Sequence, residues 1–225
     1  MRIAETFTSV QGEGILAGVP SFFIRTAGCN LRCRWCDTPH ALRAPGVRWR
    51  VEDLVAAAVS SGARYVVVTG GEPLLQREVG ALTRALRGAD LHVTVETAGT
   101  VAPEFACDLL SLSPKTSNSD PDDPGWKVRH RRLRSDLGAA GELLRRFPEH
   151  QLKFVVAGPE DMPEVLSLIE ALPEVRRDRV LLMARAATRE ELARRGPVVA
   201  ALCVEHGFRY SPRLHVELWN GRRGR

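Results

Sequence analysis

The sequence lacks the marks of a membrane-spanning or secreted protein. No run of about 18 apolar residues occurs in the 225 residues, so no transmembrane helix is predicted. Met1 to Glu5 has no apolar core of the kind that a signal peptide carries. Cysteine is scarce, with five residues of which three are clustered, and we expect these thiols to be reduced in a cytoplasmic protein.

Internal repeats and a domain-sized linker are also missing. The chain is 44% hydrophobic, which is enough to bury one core, so residues 1–225 are predicted to form a single domain. Residues 116–126 are rich in turn-forming residues and poor in apolar ones, and they are predicted to be a mobile loop.

Positive charge is present in excess and is concentrated locally. The net charge is +5, from 32 basic and 27 acidic residues, and basic runs occupy residues 127–134 and 222–225. Such runs can bind nucleic acids or anionic ligands, but they are more often solvated surfaces. No nucleic-acid partner is predicted, and the sequence leaves the role of residues 127–134 open.

Cys29, Cys33 and Cys36 have the spacing C-x3-C-x2-C. With His40 they could hold a structural zinc ion in a Cys3His site. Alternatively, they could bind three irons of an iron–sulfur cluster and leave the fourth iron open to a small molecule. Three cysteines cannot all pair with one another, which disfavours a disulfide. The spacing alone leaves both metals open.

Strand and helix patterns alternate along the chain. Parallel βα units of this kind predict an α/β fold, and the short connections favour a reduced partial barrel of about six parallel strands. Strands are predicted at residues 21–26, 65–69, 91–97, 109–112, 151–156, 180–183 and 214–219. Helices are predicted at residues 51–61, 79–86, 162–172 and 189–206, the last one broken near Gly196-Pro197.

Candidate ligand-binding residues follow or end these strands. Residues 70–73, Gly-Gly-Glu-Pro, come directly after a buried strand, where α/β folds bind ligands. Arg25 lies near the end of an apolar strand and needs an anionic partner. The two glycines of residues 11–14, Gln-Gly-Glu-Gly, predict a loop that closely approaches another group.

Five motifs in this order resemble the 7-carboxy-7-deazaguanine synthase family of the radical S-adenosylmethionine (SAM) superfamily. The resemblance extends from about Glu5 to Lys115 and resumes weakly near Leu214, and five ordered motifs are far more specific than any one of them. The motifs are FTSVQGEG at residues 7–14, FIR at 23–25, the cysteine triplet followed by Asp37-Thr38, TGGEP at 69–73, and SPK at 113–115.

The resemblance implies a partial barrel of the radical SAM type. It also implies ligand-binding roles for individual residues, but no catalytic acid or base. A [4Fe–4S] cluster would bind to Cys29, Cys33 and Cys36, and Mg²⁺ to the Thr38 hydroxyl. SAM would lie against Trp35, Cys36, Asp37, Gly71, Ser113, Pro114 and Lys115. The substrate would contact Val10, Gln11, Gly12, Arg25 and Thr69.

The implied reaction begins with one-electron cleavage of SAM to a 5′-deoxyadenosyl radical. Hydrogen is then removed from C6 of 6-carboxy-5,6,7,8-tetrahydropterin, the ring contracts, ammonia leaves, and 7-carboxy-7-deazaguanine forms on the route to queuosine. SAM is regenerated. The implied partners are a flavodoxin- or ferredoxin-like electron donor and a second copy of the chain.

Two alternative functions remain at this point. Another small radical SAM enzyme, such as a glycyl-radical activase, would share the cysteine spacing. A zinc-stabilised nucleic-acid-binding module would use the cysteine triplet, His40 and the basic run at residues 127–134.

Overall fold

The computed structural model describes residues 1–43, 45–222 and 224. Within these residues, nine strands form one sheet in the order β3-β1-β2-β4-β5-β6-β7-β8-β9. The strands are β1 (Arg2–Val10), β2 (Pro20–Thr26), β3 (Val47–Arg48), β4 (Tyr65–Gly70), β5 (His92–Thr97), β6 (Leu109–Leu112), β7 (His150–Val156), β8 (Val180–Ala184) and β9 (Arg209–Ser211).

All neighbouring strands from β2 to β9 pair in parallel, whereas β1 pairs antiparallel with both β2 and β3. The α/β prediction is therefore confirmed, with seven parallel strands instead of about six. The additional strand is β9, which has three residues and carries too short a pattern to be recognised.

Helices follow most strands and cover the sheet. They are α1 (Pro39–Arg43), α2 (Val51–Ser60), α3 (Val79–Gly88), α4 (Pro124–Ser135), α5 (Gly138–Arg146), α6 (Met162–Ala171), α7 (Arg189–His206) and α8 (Leu214–Trp219). The apolar run Val66 to Val68 in β4 is at most 1% exposed, as expected for a central parallel strand. Leu54 of α2 and Leu82 and Leu86 of α3 belong to the same buried core.

The strand predicted at residues 214–219 is wrong, because these residues form helix α8. Leu214, Val216 and Leu218 alternate with polar residues, which imitates the two-residue period of a strand. In the helix only Val216 is buried, and Leu218 is 49% exposed.

The predicted break in the helix at residues 189–206 is also wrong. Helix α7 is continuous, and Pro197 lies inside it. Proline removes one backbone hydrogen bond, but Val199, Leu202 and Cys203 bury the following turns. The Thr188 side chain caps the start of the helix.

The stretch predicted as a mobile loop contains local structure. Residues 117–119 form a 3-10 turn, and α4 begins at Pro124, where the Asp123 carboxylate accepts a 2.7 Å hydrogen bond from the Trp126 amide. Thr116, Ser119 and Asp120 are buried. Mobility of this stretch stays a prediction.

The first basic run lies entirely on α4, while Arg223 and Arg225 of the second run lie outside the described residues. Sequence reasoning missed α4 and α5, because α4 has five basic side chains and only a weak apolar stripe. None of the helices that the structure describes is long and apolar enough to cross a membrane.

Candidate active site

A cavity of about 600 Å³ lies where the parallel strands end. Every site residue predicted from the sequence lines this cavity except Pro114, which is buried and is not among the lining residues described. One cavity therefore brings together residues from the loop after β1, the loop that carries the three cysteines, and the ends of β4, β5 and β6. The structure brings the predicted residues together, and their individual roles remain predictions.

The cysteine loop, residues 28–38, connects β2 to α1 and carries the three thiols at the cavity wall. Burial raises the pKa of Cys29 to about 11 and that of Cys33 to about 12, and it also raises the pKa of Cys36. At neutral pH these groups are therefore thiols, and a bound metal must displace their protons. The Thr38 hydroxyl lies 3.7 Å from the Cys36 sulfur.

The geometry of this loop fits an iron–sulfur cluster better than zinc. Tetrahedral zinc with bonds of about 2.3 Å would hold its thiolates about 4 Å apart. Among the described residues, the triplet does not form a group whose ligand atoms all lie within 4.8 Å of one another. His40, the fourth zinc ligand considered, is on α1, and its Nε2 lies 3.1 Å from Glu5 Oε1. Three thiols facing a large cavity suit a cluster with one open iron.

The Gly-Gly-Glu-Pro segment packs directly against the cysteine loop. A Cβ atom on Gly71 would overlap the carbonyl oxygen of Gly28, so only glycine allows this approach. Glu72 is fully buried and accepts hydrogen bonds from the Thr97 hydroxyl at 2.7 Å and the Ala98 amide at 2.9 Å. Burial raises the pKa of Glu72 above its usual value, although these hydrogen bonds act in the opposite direction. Glu72 thus ties the end of β4 to the end of β5.

Lys115 and Trp35 lie on the side of the cavity predicted to face SAM. Lys115 Nζ donates 2.8 Å hydrogen bonds to the Ser113 hydroxyl and carbonyl oxygens and lies 5.7 Å from the centre of the Trp35 ring. The Trp35 indole donates to Asn118 Oδ1 at 2.9 Å. These contacts hold the ring and the ammonium group in place beside the cysteines.

The side predicted to face the substrate is polar and internally paired. Arg25 Nε lies 2.8 Å from Glu5 Oε1, so the anionic partner expected for this arginine is present. The Gln11 amide and the Thr69 hydroxyl donate to the two oxygens of Glu96, at 3.1 and 2.9 Å.

Sequence reasoning missed a chain of charges that crosses the cavity. Lys153 Nζ lies 2.5 Å from Glu13 and 4.0 Å from Glu96. Arg213 lies 3.5 Å from Glu13 and 2.6 Å from Asp37. Burial alone would raise the pKa of Glu13, but Lys153 and Arg213 lower it far below its usual value, so Glu13 stays ionised.

His215 completes this chain. Its Nε2 lies 3.8 Å from Glu13 Oε1, and burial lowers its pKa. Glu13, Asp37 and His215 place ligand atoms within 4.8 Å of one another. Because the Arg213 guanidinium already contacts both carboxylates, the positive charge at this point comes from the protein itself.

Two of the missed residues gave a signal in the sequence. Lys153 interrupts the apolar stretch of residues 152–156, much as Arg25 follows the apolar residues of its strand, and Glu13 lies inside the Gln-Gly-Glu-Gly stretch. Arg213 directly precedes residues 214–219, which were wrongly predicted as a strand, and His215 lies within them.

Comparison with known proteins identifies the family to which this chain belongs. The family model of the radical SAM superfamily matches residues 23–172. The 7-carboxy-7-deazaguanine synthase of Rhodopirellula baltica is 42% identical over 100% of this chain and 88% of the relative. That of Halobacterium salinarum is 44% identical over 98% of this chain and 91% of the relative. The chain belongs to the 7-carboxy-7-deazaguanine synthase family.

Solved structures agree with the family assignment. The crystal structure of QueE from Escherichia coli superposes with a TM-score of 0.68 at 25% identity, covering 93% of this chain and 92% of that one. Streptococcus suis SuiB bound to S-adenosylmethionine shares the fold, with a TM-score of 0.52 at 15% identity over 81% of this chain and 47% of that one. This family member is a radical SAM enzyme. Membership of that superfamily implies that the cysteine triplet binds a [4Fe–4S] cluster and not zinc, and that SAM is the cofactor.

Proposed function

We propose that this protein converts 6-carboxy-5,6,7,8-tetrahydropterin to 7-carboxy-7-deazaguanine with loss of ammonia, a step towards queuosine. One observation carries the proposal: a single cavity has the cysteine loop on one wall and paired polar groups that suit a carboxylated pterin on another. A hydrogen-abstracting cofactor and its substrate would therefore share one cavity.

When bound, the cluster and SAM would supply the radical that takes hydrogen from the substrate. The protein's own part is to position one C–H bond and to exclude water. We assign Cys29, Cys33 and Cys36 to the cluster. The SAM contacts are assigned to Trp35, Cys36, Asp37, Gly71, Ser113 and Lys115, with Pro114 supporting this wall from its buried position.

The substrate carboxylate would bind at Arg25. Glu5 contacts Nε of this guanidinium, so the terminal nitrogens could form the paired bonds that arginine makes with carboxylates. The pterin ring carries N–H donors, for which Glu96 is an acceptor already oriented by Gln11 and Thr69. Val10 and Gly12 line the same wall.

Magnesium would bind at Thr38, through its hydroxyl and the substrate carboxylate, because Mg²⁺ prefers oxygen ligands and retains several waters. Support comes from the position of Thr38 at the cavity wall, next to Asp37. Thr38→Ala should raise the Mg²⁺ concentration needed for half-maximal rate, whereas Thr38→Ser should preserve it. An unchanged requirement in Thr38→Ala would contradict the assignment.

The test of the proposed function is turnover by protein reconstituted with iron and sulfide without oxygen. With SAM, Mg²⁺, dithionite and the pterin, we expect 7-carboxy-7-deazaguanine and ammonia in equal amounts by mass spectrometry and ammonia assay. SAM cleavage with the pterin left unchanged would overturn the substrate assignment and favour an activase. The cytoplasmic location, the homodimer and the flavodoxin- or ferredoxin-like donor stay predictions.

A further inference from the structure

Helix α4 presents a basic surface that the proposed function does not use. The helix carries five basic side chains and no acidic one. Arg131 and Arg134 are neutralised by Asp120, with Glu164 as a second partner of Arg134. Val128, Arg129 and Arg132, which we call the basic face of α4, are exposed, and Val128 is 74% exposed. In the part of the chain that the structure describes, no carboxylate pairs with Arg129 or Arg132.

The same helix is fastened to the cysteine loop. His130 is fully buried, and its Nδ1 accepts a 3.1 Å hydrogen bond from the Arg32 amide. His130 Nε2 lies 2.9 Å from the Ser119 hydroxyl, and the Ser119 carbonyl accepts a 3.0 Å bond from the Arg34 amide. Arg32 and Arg34 flank Cys33 in the sequence. Helix α4 therefore packs on the backbone of the loop that carries the thiols.

Side-chain contacts extend the positive surface from the helix to this loop. The Arg32 guanidinium lies 4.1 Å from the centre of the Trp126 ring, and Arg129 lies 5.2 Å from the same ring. Arg34 is 51% exposed and has one ion pair, at 3.3 Å, with the highly exposed Asp122. An exposed pair of this kind contributes little and leaves the arginine available to another partner.

We propose that the basic face of α4, together with Arg34, is the docking surface for an acidic one-electron donor protein of the flavodoxin or ferredoxin class. The proposal rests on the proposed function only in that it requires a redox-active cluster in the cysteine loop. One electron passes from the reduced donor to the oxidised cluster, so the donor is oxidised by one electron and the cluster is reduced by one.

Charge and position together select this partner. A positive surface attracts an acidic protein and speeds the encounter at low salt. The exposed Val128 among arginines resembles the centre of a protein interface, where apolar contact is surrounded by polar groups. His130 packs on the cysteine loop, and Val128 and Arg132 lie two residues on either side of it, so the basic face is on the opposite side of α4. A donor bound here would be one helix diameter, about 10 Å, from that loop and would contact it through Arg34.

The first experiment measures binding of an acidic flavodoxin to the reconstituted enzyme by calorimetry at low and high salt. The test variant is Arg129→Glu/Arg132→Glu. The matched control is Arg84→Glu/Arg194→Glu, which makes the same change in net charge at exposed positions of α3 and α7. We expect the test variant to bind at least about tenfold more weakly, the control to bind like the wild type, and wild-type affinity to fall with salt.

The second experiment follows bleaching of the cluster absorbance by chemically reduced flavodoxin and, separately, by dithionite. We expect the test variant to be slow with flavodoxin and normal with dithionite, which needs no docking surface. Wild-type reduction by flavodoxin without conversion of the pterin would sink the proposed function while leaving the docking proposal intact.

Four outcomes would overturn the proposal. Equal losses in the test and control variants would show an effect of net charge alone, and unchanged binding in both would show that α4 is not involved. Tighter binding of a short RNA duplex than of flavodoxin, abolished in the test variant, would assign the surface to nucleic acid. If the test variant is also slow with dithionite, flavodoxin binding is measured instead with the milder Arg132→Gln variant. Wild-type affinity of Arg132→Gln for flavodoxin would reject the proposed docking surface.

Discussion

At Gly71 two segments of the site approach each other closely. Its missing side chain lets the Gly-Gly-Glu-Pro segment pack on the carbonyl of Gly28, one residue before Cys29. The Glu72 amide then donates a 2.9 Å hydrogen bond to the same carbonyl. A side chain here would push the cysteine loop away from the strand end that we assign to SAM.

We therefore expect Gly71→Ala to destabilise the protein by about 1–3 kcal/mol and to reduce iron incorporation. Gly88→Ala is the matched control, because no atom lies within 4 Å of its added Cβ and the residue ends helix α3. It should be neutral or stabilising by up to about 1 kcal/mol. Urea unfolding and iron analysis would measure both effects, and normal iron content in Gly71→Ala would contradict this account of the contact.

At the residue scale, the sequence predicted the parts of the site that belong to local motifs. Cys33, Gly71 and Lys115 follow or end strands, and parallel strands bring such positions to one edge of a sheet. The charge chain through Lys153 and Arg213 could not be predicted, because it joins groups 140 residues apart, as in Lys153 with Glu13. Only the folded sheet places these side chains together.

The last two elements, β9 and α8, close one side of the cavity. The Leu214 amide donates to the Gly12 carbonyl at 3.0 Å, and the Gly14 amide donates to the Ser211 hydroxyl at 2.9 Å. Between these contacts Arg213 joins Glu13 to Asp37. Arg213 thus links the wall assigned to the substrate with the wall assigned to SAM.

Because of this link, Arg213→Met should disturb the alignment of the two ligands. We expect kcat/KM for the pterin to fall about tenfold or more, equivalent to about 1.4 kcal/mol, with 5′-deoxyadenosine released without product. Arg213→Lys should restore part of the coupling, and Arg209→Met, at an exposed position of β9, is the control. An unchanged ratio of product to 5′-deoxyadenosine in Arg213→Met would show that the arginine has only a structural role.

Helix α4 depends on a neutral histidine. Burial lowers the pKa of His130 below its ordinary value of 6.5, and its Nδ1 must stay unprotonated to accept the Arg32 amide. The unfolded chain therefore binds more protons than the folded one as the pH falls below 6.5, so the contribution of His130 to stability is complete above that pH and is lost below it.

The expected result is a steeper loss of thermal stability on acidification in the wild type than in His130→Gln. The glutamine can still donate and accept hydrogen bonds but does not titrate. Thermal unfolding followed by circular dichroism from about pH 7 to about pH 5 would measure the difference. Parallel curves for the two proteins would show that His130 is not the titrating group.

At the element scale, periodicity found the helices and strands with a strong apolar pattern. Helix α3 and strand β6 were predicted close to their observed bounds. Helix α4 was missed because its buried side consists largely of Trp126, His130 and Leu133 within a basic run. Helix α8 was mistaken for a strand because six residues are too few to separate the two periods.

On the scale of the whole molecule, the parallel sheet explains why one cavity can hold two ligands. Strands β4, β5 and β6 end side by side and deliver Thr69, Glu96 and Ser113 to the same edge. The alternation of strands and helices predicted a partial barrel. The antiparallel pairing of β1 with β2 and β3 could not be predicted, because pairing partners are set by long-range packing.

The proposed reaction requires this cavity to hold C6 of the pterin against the 5′ carbon of SAM. The measurement is turnover with pterin deuterated at C6, followed by mass spectrometry of the recovered SAM, 5′-deoxyadenosine and product. We expect deuterium in the 5′-deoxyadenosyl group, both in recovered SAM and in any 5′-deoxyadenosine. Deuterium retained at C6 or lost only to solvent, with SAM unlabelled, would contradict it.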